Sequence, residues 1–308
     1  MIKRMGAAVP LLVAVICSQL AAQGPTGVRF DGYLQPRSEM TDDSAVFFLR
    51  RARVGLHGQA TPWAQYRVLT EWRSGATSTV SLLDAYVQLT DRRWTFILGQ
   101  SKTPFSRGFL QDEHATEMPE LPMVVDALAP SRDIGAKAEF RGVRRVVLQG
   151  GVFNGEGPNR TTNNNRSLLL LARGVVTLQG GFEIGAAGGM EDNEDYLGFE
   201  AAYNRRDIQL RGEYIQRKVG AGAGITAVGW YGFGGWMQRR GRMQLVGRVE
   251  QFDPNDNTAG DRLMAFTGGA QWLLRGETVK VQTTYTVVNE ETGSIPNNRA
   301  VAQLQLRF

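Results

Sequence analysis

The sequence is nearly free of the residues that build disulfides and metal centres. Its 308 residues include one cysteine and two histidines, and Cys17 lies in the N-terminal segment. A disulfide scaffold, a zinc site and a cysteine–histidine nucleophile are therefore not available to the rest of the chain. Long apolar runs are also missing after the first two dozen residues, whereas a membrane-spanning helix needs about 18 apolar residues in succession. A helical membrane bundle is thus not expected.

The N-terminal segment has the features of a secretory signal. Lys3 and Arg4 precede the apolar residues 5–17, and small residues follow. This order predicts a cleaved signal peptide over residues 1–22 and a mature chain that starts at Gln23. The alternatives are a retained membrane anchor, for which the apolar stretch is short, and a lipoprotein, for which the residues before the cysteine are too large. The sequence therefore predicts export.

Beyond the signal, apolar side chains recur at every second position in most segments. Clusters of glycine, proline, asparagine and aspartate separate these segments. A period of two is typical of β-strands whose two faces meet different surroundings. Sixteen such runs are predicted, near residues 28–36, 45–58, 63–74, 79–90, 93–101, 133–141, 143–154, 166–177, 179–190, 195–204, 206–217, 225–239, 242–252, 262–274, 277–288 and 298–308.

The two faces of these strands favour a membrane barrel over a secreted sandwich or solenoid. Aromatic residues stand near strand ends on the apolar face, as at Trp72, Tyr203, Trp272 and Phe308, where membrane barrels have interfacial girdles. Charges run along the other face, which a water-filled lumen tolerates and a packed core does not. Short turns also alternate with longer polar loops. The predicted fold class is all-β, a transmembrane antiparallel β-barrel of about 16 strands that forms one domain over residues 23–308.

One connection is too long for a simple turn. Residues 103–132 contain four prolines and little alternation. Loops of this length in a compact domain are usually functional. We expect this segment to fold into the barrel as a constriction loop, with its apolar part, residues 121–128, packed on the inner wall.

Several stretches of the sequence resemble one known family. They are FFLRRARVGLHG (47–58), LLDAYVQL (82–89), LGQSKTPFS (98–106), VVDALAPSRDIGAKAEF (124–140), GGVFNGEG (150–157) and QLQLRF (303–308). In this order, and over most of the mature chain, they resemble the phosphate-selective porin O/P family of outer-membrane proteins. The resemblance implies a sixteen-stranded, trimeric anion channel with an arginine ladder on its wall and a lysine-bearing constriction.

The resemblance extends to individual positions. The matched residues are the strand-two arginines Arg51 and Arg53, the acid Asp84 of the D-A-Y strand, Lys102 before P-F, and Arg132 and Asp133 at the end of the constriction loop. The loop departs from the family pattern, because between residues 106 and 131 its only cation is Arg107, against five acids. The lysines of phosphate-specific members have no counterpart here. The resemblance therefore implies an anion channel without implying phosphate specificity.

Strand alternation gives an independent prediction of the residues that face the lumen. Cations outnumber acids on that face, and arginine or lysine rings in a narrow pore favour anions. The alternative for each arginine is an ion pair on the wall, for instance Arg211 with Glu213 or Arg248 with Glu250. For strands 5 and 12 it stays open which face points to the lumen, because their glycines can carry bulges. Alternation assigns to this face Arg51, Arg53, Arg67, Arg73, Asp84, Lys137, Arg211, Arg248 and Lys280, together with Arg29, Arg141 and Arg307. The predicted pore-lining residues also include Lys102, Arg132 and Asp133, which the resemblance implies, and Arg107, the cation of the loop.

These patterns predict an outer-membrane porin for the passive diffusion of small hydrophilic solutes, with anions preferred. No catalytic residue, metal site or cofactor is predicted, since no serine is placed beside His57 or His114. The expected partners are small anions or other hydrophilic solutes, outer-membrane lipids and further copies of the chain in a homotrimer, whereas export disfavours nucleic acid. The alternatives are a general or weakly cation-tolerant porin whose ion preference is determined by the acidic loop, a barrel enzyme and a structural envelope protein.

Overall fold

Alternating side chains along the chain give rise to a single sheet. The computed structural model describes residues 27–74, 79–163, 165–220, 224–238, 241–292 and 297–308, and the predicted signal peptide lies outside them. Sixteen strands follow one another in this part of the chain. They are β1 (Arg29–Thr41), β2 (Ala45–Thr61), β3 (Ala64–Arg73), β4 (Thr79–Asp91), β5 (Trp94–Lys102), β6 (Arg132–Phe140), β7 (Val146–Phe153), β8 (Leu169–Thr177), β9 (Phe182–Glu191), β10 (Glu194–Arg205), β11 (Ile208–Val219), β12 (Ile225–Met237), β13 (Met243–Asp253), β14 (Leu263–Glu277), β15 (Val279–Glu290) and β16 (Arg299–Arg307).

The sheet closes on itself. Each strand pairs antiparallel with its neighbours in sequence, and β1 also pairs with β16. Closure gives every strand a hydrogen-bonding partner on both sides, which a sheet surrounded by lipid requires. The predicted sixteen-stranded all-β barrel is therefore confirmed. Within the described ranges, no helix has the length and apolar character needed to cross a membrane.

The first strand is longer than the sequence predicts. The predicted run ends at Pro36, but β1 continues to Thr41. Proline lacks the N–H that a strand donates, and the sheet accommodates it through an irregularity in β2: Gln35 pairs with Arg51, whereas Pro36 pairs with Leu49. Two steps along β2 thus match one step along β1, and the extra residue is Arg50.

The two faces of the barrel differ in polarity as an outer-membrane protein requires. On β10, Leu197 and Phe199 are exposed on the outside, whereas the neighbouring Glu200 is buried on the inside. Exposed large apolar side chains occur on every strand of the barrel except β6. The outer surface is therefore an apolar band suited to lipid.

The connection between β5 and β6 folds into the barrel. It contains two short helices, Arg107–Leu110 and Met123–Leu128, and a 3-10 turn at Glu113–Ala115. Elements of three to six residues are too short for sequence periodicity to reveal. The second helix contacts β11, β12 and β13, and its residues Val124, Val125 and Leu128 are buried. The expected packing of the apolar part of the loop on the inner wall is thus observed. The connection ends at residue 131, because Arg132 already pairs within β6.

Two glycines in the wall make room for this loop. A Cβ atom at Gly229 would lie 2.9 Å from Cγ2 of Val124 and 2.5 Å from the carbonyl oxygen of Gln251. A Cβ atom at Gly198 would lie 3.1 Å from the ring of Phe105. Any larger side chain at these wall positions would push the loop away. The close approach lets the loop bury its apolar side chains inside a lumen that is otherwise polar.

The buried position of Val124 gives a first prediction. Val124→Asp places a carboxylate against the apolar wall, at a cost of more than about 3 kcal/mol, and should release the helix without opening the barrel. We expect a higher single-channel conductance in planar bilayers and unchanged heat-modifiable migration on gels. Val143→Asp, in the exposed turn after β6, is the matched control. Equal conductance of both variants would show that this helix does not narrow the pore.

Candidate functional site

The candidate site is the lumen at the level of the constriction loop, residues 103–131. The loop begins where β5 ends and crosses to the opposite wall, where its second helix contacts β11 to β13. Its acidic side chains meet cations of the barrel wall at three separate places. These contacts decide which charges remain for a solute, so they are described one by one.

The first contact surrounds Glu113. Its carboxylate lies 2.7 Å from Nη1 of Arg53, 3.5 Å from Nζ of Lys102 and 3.6 Å from Nη1 of Arg132. Burial alone would raise the pKa of Glu113, but the three cations outweigh burial and hold the pKa well below its usual range. Glu113 is therefore ionised at neutral pH.

The second contact joins Glu117 to β11. Arg211 donates from Nη2 to Oε2 of Glu117 at 2.6 Å and from Nη1 to Oε1 at 3.0 Å. The guanidinium group also lies 3.8 Å from the ring centroid of Phe233. A two-pronged ion pair combined with an aromatic contact fixes both the position and the plane of the guanidinium group.

The third contact surrounds Glu120, near the outer end of β1 and β2. Arg37 donates to Oε1 of Glu120 and also to the carbonyl oxygen of Pro119 at 3.1 Å. Nη2 of Arg50, the bulged residue of β2, lies 3.7 Å from Oε2 of Glu120. Burial by itself raises the pKa of this carboxyl, but Arg37 and Arg50 lower it below the usual value overall.

Wall side chains also bind backbone atoms of the loop. Nζ of Lys280 and Nε2 of Gln282 each donate to the carbonyl oxygen of Thr116 at 2.8 Å, and Gln305 donates to the carbonyl oxygen of His114 at 3.0 Å. All three wall side chains are buried. The loop is therefore bound directly to β15 and β16 at this level.

The first turn of the loop is held by an acid of the wall. Glu213 on β11 accepts hydrogen bonds from the Ser106 hydroxyl at 2.7 Å and from the N–H groups of Arg107 and Gly108 at 2.9 and 2.7 Å. The Tyr231 hydroxyl donates to the same carboxylate at 2.8 Å. The expected alternative pair between Arg211 and Glu213 is wrong, because the loop occupies both partners.

Open space remains on both sides of loop residues 110–117. One cavity of about 490 Å³ lies against β16 and β1 to β6, and a second of about 540 Å³ lies against β7, β8, β10 and β11. The charged groups of the first cavity are Arg53, Arg67, Lys102, Arg132, Lys137, Arg307, Asp31, Asp84, Asp112 and Glu113. Those of the second cavity are Arg107, Arg173, Arg211 and Glu117. Cations outnumber acids in both.

The predicted site residues fall into two groups. Eight of them line one of the two cavities, namely Arg53, Arg67, Asp84, Lys102, Arg107, Arg132, Lys137 and Arg211. Arg67 and Arg132 are each tied to an acid: Arg67 lies 3.0 Å from Asp31, and Arg132 donates to Asp84 at 2.8 Å. Arg107 lies 2.6 Å from Glu183. Lys137 differs, because its Nζ donates a hydrogen bond to the carbonyl oxygen of Lys102 at 2.6 Å.

The other five predicted site residues do not line either of these two cavities. Arg51 and Lys280 are buried, beside Glu71 and the loop respectively. Arg248 is held by Glu250 at 2.9 Å, as the ion-pair alternative expected. Asp133 is 2% exposed and accepts from the N–H groups of its neighbour Ile134 and of Gly155. Arg73 pairs with Glu71 at the outer end of β3. Alternation along a strand indicates whether a side chain faces the lumen or the lipid. It does not indicate whether the loop or another strand covers that side chain.

Sequence reasoning also missed three arginines that act in the lumen. Arg37 lies beyond the proline that ended the predicted first strand, and Arg50 faces inward only because of the bulge. Arg173 lines the second cavity and forms a two-pronged pair with Glu200 at 2.6 and 2.9 Å. The residues before Arg173 are apolar on both faces of the strand, so alternation does not indicate which face points to the lumen.

The fold and the charged lumen loop define the class of the protein as an outer-membrane porin. An anion-selective porin from Comamonas acidovorans aligns with a TM-score of 0.71 at 13% identity, over 92% of this chain and 100% of that chain. OmpT, an outer membrane protein of Vibrio cholerae in a trimer form, gives 0.71 at 12% identity, over 92% and 99%. Salmonella typhi OmpF, in complex with daunomycin, gives 0.69 at 12% identity, over 92% and 98%. At such identities the likeness shows the shared fold.

The family follows from the sequence itself. The profile of the family "Phosphate-selective porin O and P" matches residues 27–227. This match covers well over half of the chain, so the protein belongs to that family. A comparison with curated proteins finds no match. Among the described residues, no group of three or more His, Cys, Asp or Glu side chains is arranged to hold a metal ion.

The lowered pKa of Glu113 predicts an acid threshold. A glutamate whose pKa is lowered on folding stabilises the folded state above its ordinary pKa of about 4.3, and this stabilisation is lost as the pH falls through the folded pKa. We therefore expect constant conductance from about pH 7 to about pH 5 and a loop that loosens only in stronger acid, seen as higher conductance and current noise.

Glu113→Gln should loosen the loop already at neutral pH. It removes the one acid beside Lys102 in the described part of the chain and one of the two acids beside Arg53 and beside Arg132, and breaking such a buried pair costs about 3–5 kcal/mol. The matched control is Asp112→Asn, because Asp112 is exposed and has no cation within 4.0 Å among the described residues. Limited proteolysis of the loop and current noise are the measurements. Equal behaviour of the two variants would contradict the anchoring role of Glu113.

Proposed function

We propose that this porin prefers small anions and that its selectivity arises where the constriction loop borders the two lumen cavities. The supporting observation is the pairing of the loop acids. Glu113, Glu117 and Glu120 are each bound to wall cations and point toward the wall. Acids paired in this way contribute little net field to the solute space, so the acidic composition of the loop does not make the pore cation-selective.

Two cations of the first cavity supply the positive field. Lys137 and Arg307 have no carboxylate oxygen within 4.0 Å of their charged nitrogens among the described residues. His114 adds no charge at neutral pH, because burial first and then the charge of Arg307 lower its pKa. Unpaired cations in a confined space favour the entry of anions over cations of the same size.

A general pore with weak cation tolerance is the second candidate. Its support is Asp112, which lines the first cavity and has no cation within 4.0 Å in the described part of the chain. For a barrel enzyme, a nucleophile would have to meet a histidine, and Nδ1 of His57 instead lies 3.2 Å from Oδ1 of Asp31. A pore with one free acid and two free cations at its narrow level favours anions.

Ion selectivity tests this proposal. Lys137→Gln together with Arg307→Gln should lower the chloride-to-potassium permeability ratio by at least about fivefold, because a single unit charge at about 4 Å in water already contributes about 1 kcal/mol. The measurement is the reversal potential of single channels in a potassium chloride gradient. Arg160→Gln with Arg166→Asn removes the same charge from an exposed outer loop and should leave the ratio unchanged. An unchanged ratio in the lumen variant would favour the general pore.

We also propose that the porin works as a homotrimer. The support is the likeness of its fold to OmpT of Vibrio cholerae, which is described in a trimer form. Light scattering of the detergent-solubilised protein, corrected for bound detergent, should give three times the mass of one chain. Single-channel insertions should then occur as steps of three equal conductances. A monomeric mass and single steps would contradict the trimer.

A further inference from the structure

Exposed arginines concentrate at one end of the barrel. They lie in or beside the short turns that follow β4, β6, β10, β12 and β14, and all of them are exposed. Short turns are the periplasmic end of an outer-membrane barrel. We call these residues the arginine rim; they are Arg92, Arg93, Arg141, Arg144, Arg145, Arg205, Arg206, Arg242 and Arg275.

The arginine rim is almost free of ion pairs. Arg141 is bound to Glu139, whereas the other eight have no carboxylate oxygen within 4.0 Å among the described residues. Arginines inside the barrel behave differently, since most are bound to an acid. The rim turns hold Asp91, Asp207 and Glu277, fewer than their nine arginines, whereas the outer connections carry exposed acids such as Asp42, Asp43 and Asp256. The rim therefore presents a concentrated positive charge at one end of the barrel only.

Three rim arginines occupy backbone positions that do not suit arginine. Arg92, Arg206 and Arg145 have φ angles of 43°, 53° and 66°. This left-handed region favours glycine and asparagine, because a larger side chain crowds the backbone. Glycine or asparagine would adopt these φ angles with less strain than arginine. The turn geometry alone therefore does not account for arginine at these positions.

The rim lies directly beyond a belt of aromatic residues. On the outer face of β10, Phe199 is followed at two-residue steps by Ala201, Tyr203 and Arg205. The ring of Tyr203 lies 4.4 Å from that of Phe182, and Trp94 directly follows Arg93. Aromatic belts mark the level of the lipid headgroups. The next residue along the strand therefore reaches the level of the headgroup phosphates.

The distribution of the arginine rim indicates the kind of partner. Rim arginines stand at five of the turns, from the one after β4 to the one after β14. A protein partner would contact one patch, whereas lipids contact all of the circumference that neighbouring subunits leave uncovered. A guanidinium group binds phosphate oxygens in a two-pronged manner and remains charged at any physiological pH. Basic residues near a membrane surface attract anionic lipids.

We propose that the arginine rim binds the phosphate groups of anionic phospholipids in the leaflet that faces the periplasm. This surface is separate from the lumen cavities, so the proposal does not depend on ion selectivity. It assigns the barrel a preferred lipid neighbour and a fixed height in that leaflet. It also gives a role to arginine at turns where the backbone favours smaller residues.

Quenching of tryptophan fluorescence by brominated lipids tests the proposal. The full mature barrel is placed in nanodiscs of phosphatidylcholine that contain either brominated phosphatidylglycerol or brominated phosphatidylcholine at the same fraction. Trp94 and Trp236 lie at the rim end and report on the lipids there. We expect stronger quenching by phosphatidylglycerol in the native chain. Equal quenching by the two lipids would overturn the proposal.

The variant Arg92→Asn/Arg206→Asn/Arg275→Gln removes three rim charges. Each lost arginine should weaken the relative association of phosphatidylglycerol about fivefold. The matched control, Arg160→Gln/Arg166→Asn/Arg262→Gln, removes three charges from the outer connections, and Arg166 has a positive φ of 59° as well. The control should keep the native preference. A preference that survives in the rim variant, or is lost equally in both, would overturn the proposal.

Two further measurements separate the alternatives. Inorganic phosphate, added at constant ionic strength, should leave the lipid preference unchanged; if it abolishes the preference, the rim is a site for soluble anions. In a neutral detergent the rim variant should be at least as stable to heat as the native chain, because asparagine suits the turn at residues 92 and 206. If the triple variant does not fold, Arg206→Asn alone should still reduce the preference, and an unchanged preference there would contradict the proposal.

Discussion

The pairing of buried charges between the constriction loop and the wall determines the interior of this porin. A charge that is moved from water into a narrow lumen costs free energy unless an opposite charge meets it. Glu113, Glu117 and Glu120 each meet wall cations, and the wall acid Glu213 meets the N–H groups at the start of the loop. The loop therefore has one position in which all these groups are satisfied.

This pairing reconciles an acidic loop with a pore that we infer to prefer anions. The composition of the loop alone would disfavour anion passage, because the loop contains five acids and a single cation, Arg107. In the folded chain, three of the acids are used to hold the loop, and their charges are balanced within hydrogen-bonding distance. The field in the open space then depends on the few groups that are not paired, which include Lys137, Arg307 and Asp112.

Paired and unpaired arginines divide between the inside and the periplasmic end of the barrel. Inside, water is scarce and an arginine without an acid is costly, so Arg53, Arg173 and Arg211 are bound closely. At the short turns, water and headgroups solvate the charge, so a rim arginine needs no acid beside it. One residue type therefore has two roles, attachment of the loop in the lumen and, as we infer, contact with lipid phosphates at the rim.

The sequence by itself determined the barrel, because lipid outside and polar groups inside impose a period of two that any strand must show. It also located the constriction loop and Arg53, Lys102 and Arg132, which lie in stretches resembling the porin family. The tertiary structure decided how the charges are used. Lys280 and Asp133 are buried because the loop and the chain near Gly155 cover them. Arg50 faces inward at a bulge that lies opposite Pro36 of the neighbouring strand. Such contacts join residues far apart in the chain, and alternation along one strand carries no information about what lies across the lumen.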